Sequence, residues 1–99
     1  MCGALTGDLT AATDAGNQAI IQGVVTRGGA PVQGYVRLLN ADGEFVAEVP
    51  TSATGAFRFY AASGRWILRV LAPGGVTQDR EVEANVGSVS RVDIELSAA

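Results

Sequence analysis

The one cysteine of the sequence, Cys2, is the residue best suited to covalent chemistry. If Met1 is removed, Cys2 becomes the N-terminal residue, and its thiol lies beside a positively charged α-amine that favours the thiolate. A nucleophilic thiol at the end of an arm of 18 residues, which could extend roughly 60 Å, is what a persulfide carrier needs. Two other interpretations stay open: an incidental exposed thiol, or the lipidated first residue of a lipoprotein whose signal peptide Met1 has replaced.

Charged residues in the second half of the chain could also take part in catalysis or ligand binding. Asp79, Glu81 and Glu83 alternate, so their carboxylates share one face of a strand. Such carboxylates could serve acid–base catalysis or a calcium site. On an edge strand, however, they keep sheets from aggregating, and we favour that interpretation. Arg58 and Tyr60 could bind a small anion such as thiosulfate or sulfite, since arginine pairs well with oxyanions.

The rest of the composition excludes several kinds of catalysis and of binding site. All seven basic residues are arginine, and the sequence has neither lysine nor histidine. These absences exclude a lysine Schiff base, a histidine general base and a histidine metal ligand. A single cysteine forms no internal disulfide or cysteine-rich zinc site, and a net charge of −3 gives no basic surface for nucleic acid. We therefore expect a protein that is not an enzyme and binds no metal, cofactor or nucleic acid.

The length of 99 residues corresponds to one domain with one modest hydrophobic core. No apolar run approaches the roughly 18 residues that cross a bilayer. The sequence does not open with the charged and apolar regions of a secretory leader. We therefore expect a cytoplasmic protein that does not associate with a membrane.

Short runs of alternating apolar and polar residues follow residue 18, separated by turn residues such as Asp42-Gly43. The seven runs cover residues 19–26, 34–40, 45–49, 56–60, 66–71, 78–84 and 89–96. This spacing predicts an all-β, seven-stranded antiparallel sandwich over residues 19–97, preceded by a flexible arm over residues 1–18. The inward positions of these runs predict the central core: Val36, Phe57, Phe59, Trp66 and Leu68.

Glycines at the turns and apolar residues between them recur in a fixed order along the chain. The stretches are Ile21-x-Gly23-x-Val25, Gly29-x-Pro31-Val32-x-Gly34-x-Val36-x-Leu38, Thr54-Gly55-x-Phe57-x-Phe59 and Gly64-x-Trp66-x-Leu68-x-Val70. This succession resembles the carboxypeptidase regulatory-like domain over residues 19–96. The resemblance implies a transthyretin-like, Greek-key sandwich of seven strands. Its motifs are structural, so they imply a fold and not an activity.

Further stretches, spread over nearly the whole chain, carry a second resemblance. They are Met1-Cys-Gly3, Gly34-Tyr-Val-Arg-Leu-Leu39, Glu44-Phe-Val-Ala-Glu48 and Ser52-Ala-Thr-Gly-x-Phe-Arg-Phe-Tyr60. Together they resemble a small actinobacterial family of unknown function, sometimes labelled SseC-like, whose members are typically encoded beside a thiosulfate sulfurtransferase of rhodanese type. This resemblance implies an association with sulfur metabolism and a thiosulfate sulfurtransferase as partner.

The transthyretin-like topology also implies a candidate partner surface. In that topology the second and fifth strands are neighbours, which brings their outward residues together: Tyr35, Arg37, Leu39, Ile67, Arg69 and Leu71. An aromatic residue, large aliphatic residues and arginines are typical of an interface core. The same residues would also suit an ordinary solvated face, on which arginine stems cover apolar neighbours. Glu48 of the third strand could pair with Arg37 on this face.

These observations predict a small non-catalytic binding or accessory module. Its partner would be another protein, with a thiosulfate sulfurtransferase implied by resemblance, or a second copy of the chain. The alternative function is a sulfur carrier that accepts a persulfide on Cys2.

Overall fold

The computed structural model describes residues 18–97, which form two packed β-sheets and no helix, as the sequence predicts. The strands are β1 (Ala19–Arg27), β2 (Ala30–Pro31), β3 (Tyr35–Leu39), β4 (Phe45–Pro50), β5 (Ala56–Ala61), β6 (Gly64–Ala72), β7 (Val76–Ala84), β8 (Val89–Arg91) and β9 (Ile94–Leu96). Strand β2 has only two residues, and β8 and β9 are one run interrupted at residues 92 and 93. If β2 is left out and β8 and β9 are counted as one strand, the strands match the seven predicted runs. Residues 1–17 of the predicted arm, with Cys2, lie outside the described residues.

One sheet is built around β1. Strand β5 pairs with it in antiparallel orientation, from Ala19↔Ala61 to Val24↔Ala56, and β2 pairs with its last two residues. Strands β8 and β9 pair with β1 in parallel orientation. The sequence predicted antiparallel strands, and this parallel pairing differs from that prediction, because alternation identifies the residues that share a face and not the direction of the neighbouring strand.

The other sheet has the strand order β4-β3-β6-β7, and all of its pairings are antiparallel. Strands β3 and β6 were predicted to be neighbours and pair from Tyr35↔Leu71 to Leu39↔Ile67. Because residues that face each other across a ladder point to the same side of the sheet, this register places alternate residues of both strands on one surface.

The core lies between the two sheets and contains four of the five residues predicted for its centre. Val36 and Leu68 are completely buried, and Phe57 and Phe59 are nearly so. The centroids of the two phenylalanine rings lie 6.3 Å apart in a tilted arrangement, which is favourable for aromatic pairs. The inward face of each strand was therefore predicted correctly at these positions.

Trp66 is the exception. Its side chain is only partly buried and packs against the edge of the core. Its indole N–H donates a hydrogen bond to the carbonyl oxygen of Ala62 at 2.9 Å. Along β6 complete burial begins only at Leu68, so the prediction of a central position for Trp66 was wrong. Alternation identifies the inward face of a strand but not how far the strand extends past the opposing sheet.

Gly23 lies where β1 passes closest to the segment that joins β8 and β9. A Cβ atom at this position would collide with the carbonyl oxygen of Val92. Around this contact, the Val92 N–H donates to the carbonyl oxygen of Gln22 at 2.8 Å. The N–H of Val24 donates to the carboxylate of Asp93 at 3.2 Å. The lack of a side chain at Gly23 therefore allows this segment to bond to β1.

Substitution of Gly23 tests this requirement. We expect Gly23→Ala to lower the free energy of unfolding by about 3 kcal/mol, the upper end of the cost of overpacking. Gly74→Ala is the matched control, because its φ is +85° and nothing lies within 4 Å of the added Cβ, so only about 1–2 kcal/mol of left-handed strain is introduced. Urea denaturation measures both. Equal losses would show that the Val92 segment moves aside at little cost.

The different burial of Phe59 and Trp66 gives a second test. We expect Phe59→Ala to cost about 3–5 kcal/mol of unfolding free energy, since it removes a buried ring from the core. Trp66→Ala should cost clearly less, because part of the indole is already in solvent. Chemical denaturation followed by circular dichroism compares the two variants. A loss for Trp66→Ala as large as that for Phe59→Ala would place the indole in the core after all.

Candidate functional site

The side of the β4-β3-β6-β7 sheet that points away from the core is called the outer face here. The cross-strand register brings together on it the six residues predicted as a partner surface. They are Tyr35, Arg37, Leu39, Ile67, Arg69 and Leu71. The alternation of β3 and β6 positions these side chains, since the residues between them fill the core.

A row of four charged residues crosses the centre of the outer face. Arg37 donates from Nε to Oε1 of Glu48 at 2.7 Å, the ion pair that the sequence predicted. Arg69 donates from Nε and Nη2 to the two carboxylate oxygens of Asp79, at 2.9 and 3.0 Å. The two arginines are cross-strand partners, so the order across the four strands is acid, arginine, arginine, acid. Because each arginine has its own carboxylate, the row carries little net charge.

The ion pair at one end of this row affects the ionisation of Asp79. The hydrogen bond from the Arg69 guanidinium lowers the pKa of Asp79 below its ordinary value of 3.8. The positive charge of Arg69 acts in the same direction, and partial burial of the carboxyl opposes both. The same hydrogen bond raises the pKa of Arg69. Both groups are therefore charged at neutral pH.

Apolar side chains lie on both sides of the charged row. Phe45 is 61% exposed and Tyr35 is 49% exposed, while Ile67 and Leu71 are partly buried. The guanidinium carbon of Arg37 lies 5.7 Å from the centre of the Phe45 ring, a distance typical of a cation–π interaction. The outer face thus presents two accessible aromatic rings beside an arginine whose position is fixed by an ion pair.

Leu39 contributes less to this surface than predicted. It lies on the outer face between Phe45 and Ile67 in the register, yet it is only 3% exposed. It does not belong to the core cluster between the sheets. The expectation that Leu39 is accessible is therefore corrected: it takes part in the packing of the face and not in the surface that a partner would touch.

Phe45 is a residue of the outer face that sequence reasoning missed. In a regular strand Phe45 would share the inward face of β4 with Ala47 and Val49. A β-bulge at the pairing of Leu38 and Leu39 inserts Val46 as an extra residue, and this reverses the side to which Phe45 points. The one available signal was the position of Phe45 directly after the Asp42-Gly43 turn, which does not specify a bulge.

The acidic residues of β7 border the outer face. Asp79 is paired with Arg69, while Glu81 and Glu83 lie opposite Ile67 and Arg65 in the register. Strand β7 is an outer strand of its sheet, as the predicted role of these charges in preventing aggregation requires. The carboxylates are spread along the strand and do not converge on one point.

The other predicted site residues do not join this surface. Arg58 and Tyr60 lie on β5, in the opposite sheet. Arg58 donates from Nε to the side-chain oxygen of Gln22 at 2.9 Å, and Tyr60 is 50% exposed. Cys2 lies outside the described residues. Within residues 18–97 there is no helix long and apolar enough to cross a membrane.

The fold defines the class of the protein as a transthyretin-like β-sandwich. Its family follows from comparison with known sequences. The family model described as "Protein of unknown function (DUF1416)" matches residues 2–96, and the chain belongs to this family. Two uncharacterized proteins of Mycobacterium tuberculosis strain H37Rv, Rv0814c and Rv3118, are each 40% identical to it over 91 residues, which cover 90% of this chain and 90% of theirs. An uncharacterized protein of Mycolicibacterium smegmatis is 44% identical over 69 residues, covering 68% of this chain and 77% of the relative.

Comparison with solved structures confirms the fold. The 5-hydroxyisourate hydrolase of Klebsiella pneumoniae has a TM-score of 0.63 at 18% identity, and the match covers 82% of this chain and 92% of the hydrolase. The minor pilin GBS52 of Streptococcus agalactiae has a TM-score of 0.69 at 14% identity, covering 84% of this chain and 45% of the pilin. The Bacillus anthracis TIE protein has a TM-score of 0.69 at 13% identity, covering 81% of this chain and 17% of that protein. At these identities the likeness concerns the fold alone.

The Arg69–Asp79 pair predicts a specific dependence of stability on pH. The pKa of Asp79 is lower in the folded state than its ordinary value of 3.8. The contribution of the ionised carboxylate to the free energy of unfolding is therefore fully present above pH 3.8 and is lost as the pH falls through the pKa of the folded state. Asp79→Asn should therefore lower the melting temperature slightly near neutral pH, since exposed ion pairs contribute little. The difference from the wild type should shrink toward about pH 2. A difference between Asp79→Asn and the wild type that stays constant at all pH values would contradict the assignment.

Proposed function

We propose that the chain is a small non-catalytic module that binds a protein partner through the outer face of the β4-β3-β6-β7 sheet. The observation that carries the proposal is the pair of exposed aromatic rings, Phe45 and Tyr35, beside an ion-paired row of arginines. Tyrosine, phenylalanine and arginine are enriched at protein interfaces, and tyrosine and arginine are also enriched among the residues that contribute most of the binding energy.

The outer face is also well ordered for binding. Arg37 is held by its hydrogen bond to Glu48 and lies against the ring of Phe45. Arg69 is held by two hydrogen bonds to Asp79. Because association costs free energy when long side chains lose their freedom, arginines that are fixed before binding reduce that cost. This arrangement favours a role in recognition.

The distribution of charge indicates the kind of partner surface that would fit. The carboxylates of β7 border one side of the outer face, while the aromatic rings of Phe45 and Tyr35 lie toward β4 and β3. A complementary partner would place basic residues opposite β7 and an apolar depression opposite each of the two rings, which lie on opposite sides of the charged row. Its affinity would come mainly from burial of the aromatic side chains.

The partner to test first is a thiosulfate sulfurtransferase of rhodanese type. The support for this choice is the resemblance to the SseC-like family, whose members are typically encoded beside such an enzyme. The chain would then act in sulfur metabolism as an accessory protein, and the sulfurtransferase would supply the chemistry.

A matched pair of tyrosine variants tests the proposed surface. We expect Tyr35→Asp to weaken binding to the purified sulfurtransferase at least about tenfold, because it replaces an exposed aromatic ring of the proposed interface with a charge. Tyr60→Asp is the control: Tyr60 is 50% exposed, close to the 49% of Tyr35, but lies on the opposite sheet. Isothermal titration calorimetry gives both affinities. Equal weakening by the two variants, or wild-type binding by Tyr35→Asp, would refute the outer face as the interface.

The oligomeric state of the same proteins tests the identity of the occupant. If the wild type is a dimer that Tyr35→Asp converts to a monomer, the outer face binds a second copy, and the sulfurtransferase assignment is wrong. Size-exclusion chromatography with light scattering distinguishes these outcomes. Tyr60→Asp should not change the mass in either case.

The alternative function, a sulfur carrier, depends on Cys2 and not on the outer face. Cys2→Ser should leave binding of the sulfurtransferase unchanged if the chain is an interaction module. Abolition of sulfur transfer by Cys2→Ser, with binding intact, would instead favour the carrier. Intact-mass measurement of the non-reduced protein detects a persulfide directly as an added sulfur atom that is lost on reduction.

A further inference from the structure

A cavity of about 510 Å³ lies at the end of the sandwich where β1 terminates. Its walls come from the last residue of β1, from β2 and the two residues after it, from the segment between β4 and β5, and from the residue that follows β6. The residues lining it are Arg27, Ala30, Pro31, Val32, Gln33, Ala53 and Pro73. This set contains one cation, one side-chain amide and otherwise small or apolar residues, with no carboxylate among them. Its volume is within the range of sites that bind small molecules.

Arg27 is the last residue of β1, and its side chain is partly buried. The turn at Gly28 and Gly29, with φ values of 60° and 83°, directs the chain back so that Ala30 pairs with Arg27. The Nε and Nη2 atoms of Arg27 are buried and have no hydrogen-bond acceptor in the described part of the chain. Buried donors without acceptors are rare because they lose their bonds to water without replacement.

The unsatisfied atoms of Arg27 are the pair of nitrogens that arginine uses to hold a carboxylate. In this molecule Arg69 provides the example, since its Nε and Nη2 donate to the two oxygens of Asp79 at 2.9 and 3.0 Å. The two N–H bonds on this edge of a guanidinium are parallel, and they match the spacing of two oxygens on one carboxylate or on a similar oxyanion. Arg27 therefore has the donors of a carboxylate site with no carboxylate near them in residues 18–97.

We propose that this cavity binds a small anion, whose carboxylate or sulfur oxyanion group is held by Nε and Nη2 of Arg27. Any apolar part of the anion would lie against Pro31, Val32 and Pro73, and the amide of Gln33 would donate a further hydrogen bond. Because the two nitrogens have almost no accessible surface, binding requires the guanidinium to turn toward the cavity that its side chain lines. This site does not depend on the proposed interaction through the outer face.

Titration with simple anions tests the site. Benzoate supplies a carboxylate with an apolar body, acetate supplies the carboxylate alone, and thiosulfate supplies a sulfur oxyanion. At constant ionic strength we expect saturable shifts of the backbone amide signals of Gly28, Gly29 and Gln33 in NMR spectra of the full chain. Tighter binding of benzoate than of thiosulfate would assign the site to organic carboxylates, and the reverse order would assign it to sulfur oxyanions.

Arginine variants with the same change in charge show whether Arg27 is responsible. Arg27→Met should weaken the binding of the preferred anion at least about tenfold. Arg80→Met removes the same charge from an exposed position on β7 and should leave the affinity unchanged. Arg27→Lys keeps the charge but loses the parallel pair of donors, so it should also bind weakly, and it serves as the test if Arg27→Met does not fold.

The proposal is overturned by either of two results. One is the absence of a saturable shift with all three anions in the wild-type protein. The other is equal affinity in the wild type and Arg27→Lys, which would show that only non-specific attraction to positive charge is involved.

Discussion

The hydrogen bonding of β1 is the constraint on which the rest of the molecule depends. This single strand pairs with β5 and β2 in antiparallel orientation and with β8 and β9 in parallel orientation. Where the last run is interrupted, the carboxylate of Asp93 accepts the N–H of Val24, and the N–H of Val92 donates to Gln22. Since buried backbone groups must be satisfied, the space at Gly23 is needed to complete the ladder. The chain between Val89 and Leu96 could not otherwise follow β1.

The outer strands of the β4-β3-β6-β7 sheet limit how another chain can approach it. Strand β4 contains a bulge at Val46 and ends at Pro50, and both features interfere with the addition of a further strand. On β7, exposed carboxylates lie on the outer face, and Arg80 lies exposed on the side that carries the core residues of its neighbours. Charges on both sides of an outer strand oppose edge-to-edge pairing. The broad face of the sheet is therefore more suitable for a partner than its edges.

The features that follow from the alternation of apolar and polar residues were predicted correctly from the sequence. The predictions failed where a local irregularity of a strand, or the position of a residue relative to the opposing sheet, determines the structure. The inward positions of Val36, Phe57, Phe59 and Leu68 and the pairing of β3 with β6 were predicted correctly. The β-bulge in β4 reversed the side of the sheet to which Phe45 points, and no residue type in β4 indicates that a bulge is present.

Burial and site assembly were harder to predict. Trp66 packs against the core but is only partly buried, and Leu39 is buried on a face predicted to be accessible. The cavity at Arg27 brings together turns that are far apart in the sequence, among them Ala53 and Pro73. Only the fold determines that these residues meet.

The parallel orientation of the first and last strands has a mechanical consequence. Ala19 lies at one end of β1, whereas Leu96 pairs with Arg27 at the other end. A force that pulls these two ends of the described chain apart would slide β1 and the β8–β9 run along each other in opposite directions. Their hydrogen bonds would then be loaded together, in shear, whereas a hairpin is opened one bond at a time. The sandwich should therefore resist stretching along the direction of its strands.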